Sequence, residues 1–316
     1  MFGDEYPRFV EVSELTPNLA IPWKQRPRGR PAIEQQRRMN ARYEAVFACN
    51  TDVFDGARVL DLASHDGRYS FAALKTGAAH VIGIEVRDSL IEKAEETFAF
   101  YGQAPETYRF IRGDVFDVLG RESFDVDVVL CLGFLYHTYR HTELFYRLHQ
   151  LAPKHLILDT RVLPGKRPML QVIPEQDSAD IRAAAQDAFS LDRVLVARPT
   201  RAAVTMILSA YRFEIESRYD WKAWFAGRPP EPGLKEYADG KRVTLRCRYG
   251  GGAITDGSEL VAPVPRRRRP PPRPRRQHPT EAGRAVGSAG GWRQRVNKTI
   301  ARVTGYELRR TSSIKR

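Results

Sequence analysis

Cysteine is scarce in this sequence of 316 residues, since Cys49, Cys131 and Cys247 lie far apart and are odd in number. Isolated thiols argue against a disulfide framework or a zinc knuckle and fit a reducing compartment, so we expect a cytoplasmic protein. No stretch approaches the roughly eighteen apolar residues of a membrane span. Residues 1–5 are acidic and lack the apolar segment of a secretory signal, and no internal repeat is visible.

Basic residues are concentrated near the end of the chain. Residues 260–316 contain 16 Lys and Arg against two acids, a net charge of +14. The preceding residues contain 35 Lys and Arg against 36 acids, a net charge of −1, although the whole chain carries +13. The hydrophobic fraction, 42%, is ordinary for a globular protein. We therefore predict a near-neutral folded body followed by a basic tail.

Short apolar runs alternate with helical patterns through the first half of the chain. Residues 34–50 carry apolar side chains at helical spacing and predict a helix. The runs that follow predict strands at 57–62, 80–85, 107–111, 126–132 and 155–160, with helices at 67–76, 88–101 and 140–151. Strands separated by helices indicate an α/β fold with a mostly parallel sheet and helices on both faces.

The alternation stops after Asp159. Residues 161–199 read as an insertion with a helix-like stretch at 178–189, and Thr200 is the expected N-cap of a helix at 201–211. Two further strands, at about 212–218 and 241–249, are joined by a long loop. Such a connection favours an antiparallel strand at the edge of a seven-stranded sheet.

These patterns divide the chain into four segments. Residues 1–50 form an N-terminal arm and helix, and 51–250 form the α/β domain, whose insertion at 161–199 would cover a substrate. Residues 251–291 are a Pro/Arg-rich linker that we expect to be disordered. Residues 292–316 read as a short basic amphipathic helix and tail.

Two acids frame the loop after the first predicted strand. Asp61 ends that strand, Gly67 opens the next helix, and Glu85 ends the second strand, where a carboxylate can hold two ribose hydroxyls. A carboxylate before the loop would repel a pyrophosphate but attract a ligand with ammonium and sulfonium groups. S-adenosylmethionine is such a ligand, and we predict it as the cofactor.

Two further positions of this loop, Ala63 and His65, alternate with Gly67 and are assigned to the same cofactor site. A generic tight βα turn is the alternative interpretation of the loop. Asp114 follows the third strand and is placed beside the adenine amino group, with Val115 against the ring. The alternative for Asp114 is an N-cap of the following helix.

The fourth strand ends in a segment that could carry chemistry. In open α/β sheets the ligand lies beyond the carboxyl ends of the strands, so Leu132 is assigned to the cofactor site and Tyr136 and His137 to catalysis. An unperturbed imidazole has the pKa range of a general base, so His137 is the candidate base, while a structural imidazole is the alternative. His137 and His141 have a metal-ligand spacing, but no carboxylate completes a set and we predict no metal site.

The basic tail suits a polyanion. Residues 260–316 could bind RNA or anionic lipid headgroups, which would place the protein peripherally at a membrane. A solvated tail without a specific partner is the alternative. The sequence does not determine the oligomeric state.

The loop from Val59 to Glu85, the segment 132–137 and the helix after Thr200 resemble class I S-adenosylmethionine-dependent methyltransferases over about residues 35–250. The Gly-x-Leu-Tyr-His pattern is most similar to the branch that includes the bacterial tRNA wobble-uridine carboxymethyltransferase and to sugar- and metabolite-tailoring enzymes. This resemblance implies the Rossmann-like seven-stranded methyltransferase sheet. It also implies that Asp61, Gly67, Glu85 and Asp114 line the cofactor site, with Tyr136 near the transferred group.

The expected activity is methylation of a hydroxyl on a small molecule or glycan, with His137 as the base. An RNA methyltransferase anchored by the basic tail is one alternative. A catalytically inactive scaffold that binds a membrane or a protein partner is the other.

Overall fold

The computed structural model describes residues 1–11, 32–176, 184–187, 189–191, 193–229 and 231–251. The N-terminal segment 12–31 lies outside these residues, as do the predicted linker beyond residue 251 and the predicted C-terminal helix at 292–316.

A seven-stranded sheet forms the centre of the described structure. Its strands are β1 (Arg58–Leu62), β2 (His80–Glu85), β3 (Tyr108–Arg112), β4 (Val128–Leu132), β5 (His155–Arg161), β8 (Phe213–Arg218) and β9 (Arg242–Tyr249). They lie side by side in the order β3-β2-β1-β4-β5-β9-β8. The first five strands are parallel to one another. Strand β9 is antiparallel to both β5 and β8. The predicted mostly parallel sheet is confirmed. The reversed strand is β9, which lies between β5 and the edge strand β8 and not at the edge itself.

Helices are present at the predicted positions 67–76, 88–101, 140–151 and 201–211, whereas the helix predicted at 34–50 ends at Val46 and a further helix follows β3. The longer ones are α2 (Ala32–Val46), α4 (Arg68–Lys75), α5 (Asp88–Phe100), α6 (Val115–Arg121), α7 (His141–Leu151) and α8 (Arg201–Ala210). Shorter helices are α1 (Arg8–Glu11), α3 (Thr51–Phe54), α9 (Trp221–Phe225) and α10 (Lys235–Ala238). Thr200 is the N-cap of α8, as predicted, and its hydroxyl accepts a hydrogen bond from the amide of Ala203. None of the described helices is long and apolar enough to cross a membrane.

The insertion after β5 differs from the prediction. Strands β6 (Leu170–Gln176) and β7 (Arg193–Pro199) pair as an antiparallel hairpin. The predicted helix-like stretch at 178–189 is wrong where it is described, because residues 184–187 have no helical structure. The remainder of that stretch, apart from Phe189, lies outside the described residues. Apolar residues alternate along β7, with Val194 and Val196 buried between exposed neighbours, and this period of two is a strand pattern.

Two apolar clusters pack on opposite faces of the sheet. Successive side chains of a strand point to opposite faces, so Leu60 and Leu62 of β1 lie in one cluster and Val59 in the other. The second cluster includes the N-terminal residue Phe2, whose backbone amide donates to the side chain of Asn40 on α2 over 2.8 Å. Residues 1–11 and α2 therefore pack on this face of the sheet. The carboxyl ends of the strands lie at the site described next.

Candidate functional site

The loop between β1 and α4 has a left-handed backbone at three alternating positions. The φ angles are +53° at Ala63, +57° at His65 and +71° at Gly67. Non-glycine residues rarely adopt this region, because Cβ crowds the following carbonyl oxygen. At Gly67 an added Cβ would also lie 2.9 Å from the ring of Phe110. Ala63 and His65 therefore keep a backbone path suited to glycine, although each carries a side chain.

Glu85 holds this loop from the end of β2. Its side chain is buried, and Oε2 accepts a hydrogen bond from the amide of His65 over 3.0 Å. Its Oε1 accepts from the amides of Val86 and Arg87 over 3.0 and 3.1 Å. The carboxylate is thus fixed beside the loop, where the sequence placed it.

Asp61 is buried at the end of β1, beneath the same loop. Its Oδ2 accepts a hydrogen bond from the hydroxyl of Ser70 over 2.7 Å. Burial raises the pKa of Asp61 to about 7, and the nearby carboxylates of Glu85 and Asp66 add to this effect. A buried carboxylate in this position would be stabilised by a cation bound at the loop.

Asp66 forms a buried ion pair with Arg68 at the start of α4. Burial opposes ionisation, but Arg68 and His65 outweigh it and hold the pKa of Asp66 below its ordinary range. Nδ1 of His65 lies 3.3 Å from Oδ1 of Asp66, so this ring contacts the residues that follow it in the chain.

Three other predicted cofactor residues lie at the ends of strands or helices. Asp114 is the N-cap of α6, and its Oδ1 accepts from the amides of Phe116 and Asp117, which is the alternative that the sequence left open. Val115 is buried in the core, and Leu132 is partly buried at the end of β4. Their contact with adenine stays a prediction.

Tyr136 lies in a short 3₁₀ segment, Leu135–His137, directly after β4. Its hydroxyl accepts a hydrogen bond from Nη1 of Arg242 over 3.2 Å. Burial raises the pKa of this phenol, but Arg242, His137 and Arg161 outweigh it and lower the pKa to about 7. A phenol with such neighbours can carry negative charge near neutral pH.

His137 meets a residue that the sequence did not indicate. Its Nδ1 lies 3.5 Å from Oε2 of Glu175 on β6. His141, the other residue of the metal-type spacing, is buried and donates from Nε2 to the carbonyl of Leu135 over 2.8 Å. His141 is therefore a structural imidazole, and the two histidines have different partners.

Asp159 is the second residue that sequence reasoning missed. It follows the apolar residues of β5 and is fully buried. Its carboxylate accepts hydrogen bonds from Arg242 Nε (2.6 Å), Thr244 Oγ1 (2.7 Å), Tyr237 Oη (2.9 Å) and Arg42 Nη2 (3.2 Å). An acid after an apolar strand, the signal that identified Asp61 and Glu85, is also present here. Asp159 joins α2, α10 and β9 at the edge of the site.

Residues 59–153 match the family model described as a methyltransferase domain. A segment of 118 residues is 33% identical to protein arginine N-methyltransferase 1 of Saccharomyces cerevisiae. This segment is 36% of the chain, and the chain spans about a third of the length of that relative, 33%.

Solved structures give a likeness in fold. One is an S-adenosylmethionine-dependent methyltransferase from Mesorhizobium loti, with a TM-score of 0.47 and 18% identity over 66% of this chain and 99% of that chain. Another is the 1,6-didemethyltoxoflavin-N1-methyltransferase of Burkholderia thailandensis, crystallised with S-adenosylhomocysteine. Its TM-score is 0.45, with 15% identity over 68% of this chain and 79% of that chain.

The strand order confirms the predicted class I fold, and the acid-framed loop lies within the segment 59–153 that matches the methyltransferase family model. The resemblance to the tRNA carboxymethyltransferase branch stays a prediction.

Proposed function

We propose that this protein binds S-adenosylmethionine and transfers its methyl group to an acceptor beyond the carboxyl end of β4. The observation that carries this proposal is the left-handed backbone at residues 63, 65 and 67, held between the buried carboxylates of Asp61 and Glu85. Ala63 and His65 keep at these positions the left-handed backbone that glycine adopts most readily.

The charges around the loop fit a cationic ligand end. Asp61 and Glu85 lie close enough to interact electrostatically, and burial has already raised the pKa of Asp61. A sulfonium and an ammonium group would offset that cost, whereas a phosphate would increase it. Glu85 would accept hydrogen bonds from the ribose hydroxyls, and each such bond to a charged group contributes about 1.5–3 kcal/mol.

The acceptor that we favour is a hydroxyl on a small molecule or glycan. Its oxygen bonds to the methyl carbon while the carbon–sulfur bond breaks and the electron pair remains on sulfur. The hydroxyl proton passes to His137, which acts as general base, and Tyr136 orients the acceptor. Positioning supplies much of the lowering of the barrier, and a base contributes on the order of 10²–10⁴.

The test is transfer of radiolabelled methyl from S-adenosylmethionine to pools of hydroxylated small molecules, glycans, RNA and proteins, with the full chain. Label in the first two pools supports the proposal. His137→Ala should then lower turnover by about a hundredfold or more while the cofactor dissociation constant stays unchanged. Unchanged turnover would remove His137 from the mechanism.

A second candidate acceptor is RNA, favoured by the net charge of +14 in residues 260–316. Methyl transfer to RNA, with binding that weakens steeply as salt rises and is lost on truncation after residue 255, would support it. Vesicle binding without cofactor binding would favour the inactive scaffold.

A further inference from the structure

Glu175 lies on the β6–β7 hairpin, which enters the site from the insertion. Its Oε2 is 3.5 Å from Nδ1 of His137, and both side chains are about four-fifths buried, with 22% and 21% exposed. The same carboxylate accepts a hydrogen bond from the amide of Ala184 over 3.1 Å, which fixes its position within the insertion.

The hairpin is also tied directly to the segment that carries His137. The amide of Ala197 on β7 donates to the carbonyl of Thr138 over 3.1 Å. Nδ1 of His137 is shielded from solvent and makes no hydrogen bond within the described part of the chain. At 3.5 Å the contact with Glu175 is within ion-pair range but long for a hydrogen bond.

We propose that Glu175 is a positioning residue that orients His137 as the base for methyl transfer. This inference rests on the proposed function. A carboxylate at Nδ1 holds the proton on that nitrogen, so Nε2 remains the basic nitrogen and can accept the proton of the acceptor hydroxyl. As His137 becomes charged, Glu175 stabilises the imidazolium, which is the role of a carboxylate behind a catalytic histidine.

Tyr136 and Arg198 are the titratable and charged side chains whose contacts or charges act on this pair. Tyr136 adjoins His137 in the 3₁₀ segment, with ring centroids 4.3 Å apart. The contact with His137 is the largest cause of the lowered pKa of Glu175, and the charge of Arg198 on β7 also lowers this pKa. Removal of the Glu175 charge would therefore leave His137 beside the phenol of Tyr136 without this carboxylate.

The test is an NMR measurement of the neutral tautomer of His137 from the ring nitrogens of ¹⁵N-histidine-labelled full-length protein, with the His137 signals identified by their loss in His137→Gln. In the wild type the Nδ1–H tautomer should predominate. Glu175→Gln should raise the share of the Nε2–H tautomer, because a neutral amide oxygen holds the Nδ1 proton less strongly than a carboxylate does. Asp187→Asn is the matched control, since Asp187 lies in the same insertion but contacts Arg140. It should leave the tautomer unchanged.

Glu175→Asp keeps the charge on a shorter side chain and should change the tautomer less than Glu175→Gln. In methyl transfer, kcat should fall about tenfold or more in Glu175→Gln and recover in part in Glu175→Asp, at constant cofactor affinity. A wild-type tautomer in both variants would overturn the role of Glu175. Lack of cofactor binding by the wild type would instead refute the proposed function, whatever the tautomer measurement shows.

Discussion

Replacement of Asp159 by Asn should destabilise the protein far more than loss of a surface carboxylate. Asp159 is fully buried, and the guanidinium groups of Arg42 and Arg242 that it pairs with are 10% and 2% exposed. Removal of one partner of such a buried pair leaves charge uncompensated and costs about 3–5 kcal/mol. The shape of the side chain is preserved in Asp159→Asn, so the change reports on the charge.

The assay is equilibrium unfolding in urea at pH 7, with Glu214→Gln as the matched control. Glu214 also pairs with an arginine, Arg248, at 2.7 Å, but the two side chains are 64% and 54% exposed. Loss of such a surface pair costs about 0–1 kcal/mol. A loss of stability in Asp159→Asn no larger than in Glu214→Gln would refute the argument.

The dependence of the free energy of unfolding on pH below pH 4 gives a second test of Asp159→Asn. Burial raises the pKa of Asp159, but Arg242 and Arg42 outweigh it and lower the pKa to about 2. Because the folded pKa lies below the unfolded value of about 3.9, Asp159 contributes stability above about pH 4, and this is lost as the pH falls towards 2. Asp159→Asn should therefore flatten the profile between pH 4 and 2.

Three further predictions concern the backbone, a buried acid and a helix cap. Ala152→Gly, at an exposed position with φ of +47°, should stabilise the protein by about 0.5–1 kcal/mol in urea unfolding, whereas Ala99→Gly in α5 should cost about that amount. Ala63→Gly should be better tolerated than Ala99→Gly, and equal costs would contradict the left-handed loop. Since the pKa of Asp61 is raised to about 7, the wild type should lose stability from about pH 4 to 7 and Asp61→Asn should not, as thermal unfolding across this range would show. Thr200→Ala should cost about 1 kcal/mol and Thr200→Ser much less, and equal melting temperatures would contradict the cap.

The parts of the fold that the sequence predicts are those specified by local patterns. Strands β1, β2, β4 and β5 contain buried apolar runs, and each run ends where a turn or a polar residue interrupts it. The acids Asp61 and Glu85 follow such runs directly, so their place at the carboxyl edge of the sheet follows from strand direction alone.

The sequence did not predict the hairpin, because the prolines of the insertion argue against strands while the alternating apolar residues of β7 favour one. Pro164, Pro168 and Pro174 interrupt the local pattern of the insertion, and Pro174 lies within β6 itself. Proline is tolerated in a strand only at an edge or bulge, and a two-stranded hairpin consists of edges. The pairing of β6 with β7 joins residues that are 17 to 29 positions apart in the chain, and no local periodicity indicates such a pairing.

The contacts of Asp159 and Glu175 depend on tertiary structure in the same way. The donors to Asp159 lie 117 residues before it, on α2, and 78 to 85 residues after it, on α10 and β9. Glu175 reaches His137 only because the hairpin folds back on the segment after β4. Residue type alone could suggest these acids as candidates, but the fold determines their partners.

Cofactor binding is measured most directly by calorimetric titration of the full chain with S-adenosylmethionine, in the wild type and in Glu85→Gln. Glu92→Gln, on the exposed face of α5, is the control. We expect saturable one-to-one binding by the wild type and the control, and a dissociation constant about tenfold or more higher in Glu85→Gln, from the loss of charged hydrogen bonds. An absence of binding by the wild type, or equal affinity in Glu85→Gln, would contradict a cofactor site between Asp61 and Glu85.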